Sequence, residues 1–183
     1  NSDGTVTITN STVSGNSANR TYSSGGGGII NQKNLTITNS TVSGNSANRA
    51  GGGIFNNGTM TLTNSTVSDH SVNEIGGGIY SLRDSRTTVT NSTVSGNSAS
   101  LGGGGIFINS STATVTNSTF SGNSSNYGGG IFNNYSTATV TNSTVSGNSA
   151  NNRGGGIYNR FGIANLSNSL ISGNSATNSG NEI

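Results

Sequence analysis

Asp69 and His70 stand side by side, with Glu74 and Asp84 following, and no other stretch gathers as many ionisable groups. An acid beside an imidazole is the raw material of general acid–base chemistry or of a metal site. The competing explanation is drift within a repeat. Where this coil reads Asp-His, others read Gly44–Asn45 or Gly96–Asn97, and imidazole can hydrogen-bond where an amide did. Drift is favoured, because glycoside cleavage needs two carboxylates at a controlled separation on one face, and no such pair is evident. The glycine runs carry no chemistry of their own. None is followed by the Asp of a Ca²⁺-binding nonapeptide or by the Lys-Ser/Thr of a phosphate loop. The chain has no Cys, which excludes disulfides and thiolate metal sites. The expectation is therefore no catalytic residue, no metal and no cofactor.

Partners are bounded in the same way. Seven Lys and Arg face five Asp and Glu for a net charge of +2, and Arg20, Arg49, Arg83, Arg86, Arg153 and Arg160 are scattered. Nucleic acid would need those charges clustered. No apolar run approaches the roughly 18 residues of a membrane span. Only 27% of the chain is hydrophobic, which taken alone leaves either disorder or a repeat array.

Period decides between them. The segment TNSTVSGNSA at Thr9–Ala18 recurs at Thr38–Ala47 and Thr141–Ala150. Its first Asn falls at Asn10, Asn39, Asn64, Asn91, Asn117, Asn142 and Asn168; the Ile that closes each glycine run falls at Ile29, Ile54, Ile79, Ile106, Ile131 and Ile157. Both markers keep a period of about 26 residues, the signature of a solenoid. Within a period TVTIT, LTIT, MTLT and ATVT alternate Thr with an apolar residue, as a half-buried strand does. Val6, Ile8, Leu35, Ile37, Met60, Leu62, Val89, Val115, Val140 and Leu166 should face inward. A second strand brings in Val13, Val42, Val67, Val94, Phe120, Val145 and Ile171, and a third is the Gly-Gly-Gly-Ile-Phe/Tyr element. There is no Pro and no helical spacing. The fold expected is an all-β parallel β-helix: about seven coils of about 26 residues, three short strands each, one domain over residues 1–183 without separate caps.

Columns follow from the stacking. The first Asn of each repeat, Asn10 through Asn168, should form a ladder at a bend, pointing inward by parity. A second ladder is expected at Asn16, Asn45, Asn97, Asn123, Asn148 and Asn174, each behind a glycine suited to positive φ. Two outward columns of Thr, at Thr7, Thr36, Thr61, Thr88, Thr114, Thr139 and at Thr9, Thr38, Thr63, Thr90, Thr116, Thr141, form a candidate contact face. Beside the core Ile run Ile30, Phe55, Tyr80, Phe107, Phe132 and Tyr158. Exposed, these would be an aromatic column able to stack on sugars or pack on another molecule; the alternative is self-stacking that stiffens the rod.

The motifs GGGIF and TVTNSTFSGN resemble the right-handed β-helix repeats of bacterial surface proteins, the polymorphic outer membrane proteins and related autotransporter passengers. Their GG-x-I appears at Gly51–Ile54, Gly76–Ile79, Gly103–Ile106, Gly128–Ile131 and Gly154–Ile157, but their F-x-x-N is complete only at Phe120–Asn123. The resemblance implies a right-handed coil and a bacterial, extracellular or cell-surface fibre, stalk or adhesin, with surface glycans or other cells as partners. The paired Thr columns also resemble the TxT faces of insect β-solenoid antifreeze proteins, which makes ice binding one alternative; a polysaccharide-active β-helix enzyme is the other. Ile183 lies in phase as a seventh repeat Ile, and NSDGTVT at Asn1–Thr7 matches NNGTMTL at Asn56–Leu62. Coils of two copies would thus continue in phase, and end-to-end self-association into a filament is expected.

Overall fold

A computed structural model of the chain describes residues 4–19, 25–178 and 180. All its regular structure is short parallel strands, each paired with its equivalent in the next coil. The first sheet runs from Thr5–Thr9 through Asn34–Thr38, Thr59–Thr63, Arg86–Thr90, Thr112–Thr116 and Thr137–Thr141 to Ile163–Ser167. The second stacks the three-residue strands from Thr12–Ser14 to Leu170–Ser172, and the third the strands from Ser17–Ala18 to Ser175–Ala176. The fourth runs from Ile29–Asn31 to Ile157–Arg160. Among the described residues three sheets hold seven strands and the fourth holds six, which makes six full windings and part of a seventh. Four strands per coil replace the expected three. Ser-Ala and its equivalents form a ladder of their own, because Ser46 N–H reaches Asn16 O (2.9 Å) and Ser98 N–H reaches His70 O (2.8 Å).

Registry is side chain on like side chain. Thr7 pairs with Thr36, Thr36 with Thr61, Thr61 with Thr88, Thr88 with Thr114, and Thr114 with Thr139. Inside, Ile37, Leu62, Val89, Val115 and Val140 meet Val42, Val67, Val94, Phe120 and Val145 and the Ile54–Ile157 column, all at most 1% exposed. Each such side chain contributes about 1.5–3 kcal/mol, so one hydrophobe per strand suffices when every coil repeats it. Val6 and Leu166, in the outermost strands of the first sheet, are about a third exposed (36% and 37%).

Four corners join the four sheets, and three of them are made by Asn or Gly. At the first, Asn10 and its six equivalents take φ between 46° and 50°, a left-handed conformation that Asn tolerates. That residue breaks strand parity, so the Asn column points outward and is exposed, not inward as expected. The next residue points in instead: Ser40, Ser65, Ser92, Ser118 and Ser143 are buried. Each of these hydroxyls donates to the Thr carbonyl two residues back and accepts the N–H of the serine one coil earlier (Ser65 Oγ to Thr63 O 2.7 Å, Ser40 N–H to Ser65 Oγ 3.0 Å). The second corner is Gly15, Gly44, Gly96, Gly122, Gly147 and Gly173, φ 60–68°, with Asp69 at 58° in the third coil. At the third, the glycine run approaches the next coil so closely that a Cβ on Gly104 would sit 2.5 Å from Gly129 O and Ser124 O. Only glycine fits there.

Candidate functional site

The Asp69–His70 pair resolves into structure. His70 is 1% exposed and occupies the place of an amide in the second Asn ladder. Its Nδ1 accepts the Asn45 N–H (2.9 Å), and Nε2 lies 2.9 Å from Val42 O, which makes Nε2–H the donor and the ring neutral. Burial pushes its pKa below the ordinary 6.5, against opposing contributions from the Val42 and Asn45 bonds and from Asp69. Asp69 is exposed at the corner. Glu74 pairs instead with Arg49 (3.5 Å), and Asp84 sits at the corner between the fourth and first sheets. Among the described residues no three His, Cys, Asp or Glu come together as a metal site.

The buried ladder itself is as expected. Asn97 is fully buried; its amide donates to Asn123 Oδ1 (2.9 Å) and Val67 O (3.1 Å), and its Oδ1 accepts the His70 N–H (3.1 Å). The outer ladder is real but solvated: Asn64 donates to Asn39 (3.3 Å), Asn117 to Asn91 (3.2 Å) and Asn168 to Asn142 (2.7 Å). A third polar column, which the sequence reading missed, lies inside the fourth sheet. Asn31 donates to Asn56 (2.7 Å), and Asn133 to Asn159 (2.7 Å). Asn133 Oδ1 is buried without a partner, since the preceding coil places Ile108 where a donor would stand.

Of the two expectations for the aromatic column, self-stacking is the one found. Phe55, Tyr80, Phe107 and Phe132 are only 6–7% exposed, because Ala50, Ile75 and Tyr127 of the preceding segment fold over them. Ring centroids follow one another at 5.5, 5.5 and 4.6 Å, with Tyr158 4.9 Å beyond. Burial also raises the Tyr80 pKa. The column is a second, outer core, and only Tyr158 and Ile30 at its ends are part-exposed or exposed. The Thr columns do face solvent: both lie on the outer side of the first sheet, and Thr41, Thr66, Thr93, Thr119 and Thr144 repeat the arrangement on the second.

Among the described residues the exposed aromatics are elsewhere. Tyr135 and Phe161, 60% and 67% exposed, stand at the corner after the fourth-sheet strands. They were not singled out in the sequence; the available signal was a bulky ring one residue past the strand, where neighbouring coils carry Ser110 and Arg83.

The model of the right-handed β-helix region matches residues 1–176. The chain belongs to the right-handed β-helix family. No curated protein and no solved structure gives a significant match. Membership of this β-helix family accounts for the coil and its repeat, and it leaves the choice of function to the outward residues.

Proposed function

We propose that this β-helix is a non-enzymatic extracellular rod of a bacterial surface, similar to autotransporter passengers and polymorphic outer membrane proteins, acting by contact through its outer faces. The observation that carries this reading is the depth of its lateral columns. Thr7 through Thr139 repeat one side chain over six paired strands, whereas Asp69, Glu74 and Asp84 lie in separate settings. Repetition of one contact suits avidity toward an extended surface. Val6 and Leu166, core positions left part-exposed, suit a further winding, from the same chain or from a second copy stacked end to end.

Immunogold labelling of the intact source cell tests location: label on the surface and on fibres one coil-section wide is expected, and label confined to the cell interior overturns the reading. Strictly monomeric sedimentation at high concentration contradicts self-stacking. Polyuronide cleavage lost in Asp69→Ala contradicts the non-enzymatic part.

A second reading is favoured by the in-register Thr columns of the first sheet, which set hydroxyl and methyl groups in rows. Ice binding predicts thermal hysteresis in the parent protein and its loss in Thr88→Lys with Thr116→Lys. No hysteresis in the parent ends it.

A further inference from the structure

The corner between the fourth and first sheets holds a feature that the coil does not need. Tyr135 and Phe161 have φ of 48° and 54°. A left-handed backbone costs a side chain with Cβ about 1–2 kcal/mol, and it is most unusual under a bulky ring. Elsewhere the chain meets the same demand with Asn, as at Asn117 and Asn142, or at this corner with the polar Arg83, Asp84 and Ser110. Backbone outliers of this kind cluster where a side chain must be aimed. Here two rings are aimed into solvent.

The rings stack on each other, centroids 4.9 Å apart and planes 22° from parallel. The Arg160 guanidinium lies 5.1 Å over the Phe161 ring and closes that end of the stack. The other face of Tyr135 looks along the rod toward Ser110, whose side chain is too small to cover it. The pair forms one wall of a groove of about 630 Å³ that runs along the axis over four coils. Its floor is Ser85, Ser111 and Ser136, buried and engaged in the fold; Ser136 Oγ accepts the Ser111 N–H (3.0 Å) and donates to Asn134 O (2.7 Å). Thr112 and Thr137 line the far wall, and Asp84 and Arg86 close one end with opposite charges.

We propose that this groove binds a neutral oligosaccharide, with one pyranose ring stacked on the open face of Tyr135 at the level of Ser110. A pyranose offers C–H groups on its face and hydroxyls at its rim. The ring of Tyr135 takes the former, and the exposed Asp84, Ser110 and Thr112 exchange hydrogen bonds with the latter. A sugar one coil-step beyond Tyr135 continues the stack already built by Tyr135 and Phe161. Asp84 faces Arg86 in the lining and Arg160 stands at the far end of the stack, so the groove carries isolated charges and not the continuous basic track that a nucleic-acid strand would need. The proposal deepens the surface-contact reading by naming a ligand class, and it rests on that reading only for its biological setting.

The test is titration calorimetry, with ring-proton NMR of Tyr135, using cellotetraose, maltotetraose, mannotetraose and xylotetraose. At least one is expected to bind with a Kd around 1 mM and to shift the Tyr135 resonances. Tyr135→Asn, which suits the left-handed backbone, should keep or raise Tm while weakening binding about tenfold or more. Phe161→Asn should weaken it less. Absence of binding by all four at about 10 mM, unmoved Tyr135 resonances, or parental affinity in Tyr135→Asn overturns the proposal. The two readings fail separately. Surface labelling with a silent groove sinks only the saccharide site, and saccharide binding by a protein confined to the cell interior sinks only the surface rod.

Discussion

Asn97 and Asn91 are six residues apart in one repeat, yet they hold the coil in different ways. Asn97 is buried, and three hydrogen bonds depend on its amide. Asn97→Ala strands those partners at about 1–3 kcal/mol each, so urea denaturation should show a loss of several kcal/mol. Asn91 is exposed and answers a backbone demand, so Asn91→Gly should change stability by well under about 1 kcal/mol. Strand alternation carried through the bend puts Asn91 inside; a left-handed residue resets the parity, and Ser92 goes in. The sequence therefore marks the column but not its direction. His70 adds a pH dependence. Its folded pKa is below the ordinary value because burial disfavours the cation, and Asp69 is the charged neighbour that opposes this. The folded state thus binds fewer protons than the unfolded one. Its contribution is complete above the unfolded pKa near 6.5 and declines as pH falls through the lower folded value. Melting between pH 8 and pH 5 should show Tm falling more steeply in the parent than in His70→Asn; equal slopes would refute this role for His70.

Within the fourth sheet the outward side is covered where the first and second sheets are open. The glycine run turns the preceding segment back so that Ala50, Ile75 and Tyr127 lie on Phe55, Tyr80, Phe107 and Phe132. Period two predicts that a residue beside a core Ile points out, and it does; what covers it depends on the path of a segment with no periodic pattern of its own. Burial decides the energetics. Phe107→Ala is expected to cost about 3–5 kcal/mol by denaturant unfolding, as for a core aromatic. A loss under about 0.5 kcal/mol, normal for a surface position, would contradict the covered stack. Two residues are too few to show alternation, so the Ser-Ala element did not stand out as a strand of its own. Tyr135 and Phe161 stand where other coils carry Ser110 or Arg83, but nothing within one repeat shows that two such rings stack, which is why the groove they wall emerged only once the coils were stacked.

At the scale of the whole molecule, one physical fact organises the rest: equivalent residues about 26 apart in sequence become neighbours. The period was fully legible, because two independent markers keep it through every coil, and with it came the sheets, the core columns and the buried Asn ladder. What contacts a surface outside the coil remained beyond the repeat, since function here resides in the departures from it. The absence of Cys makes the stacking directly measurable. Spin labels on Cys substituted for Thr7 and Thr139, 132 residues apart in sequence but five parallel pairings apart in the first sheet, report the rise of the coil by electron double resonance. In-register stacking predicts one narrow distribution centred near about 24 Å, five steps of about 4.8 Å. A broad distribution extending beyond about 40 Å, as a flexible chain of that length gives, would contradict it.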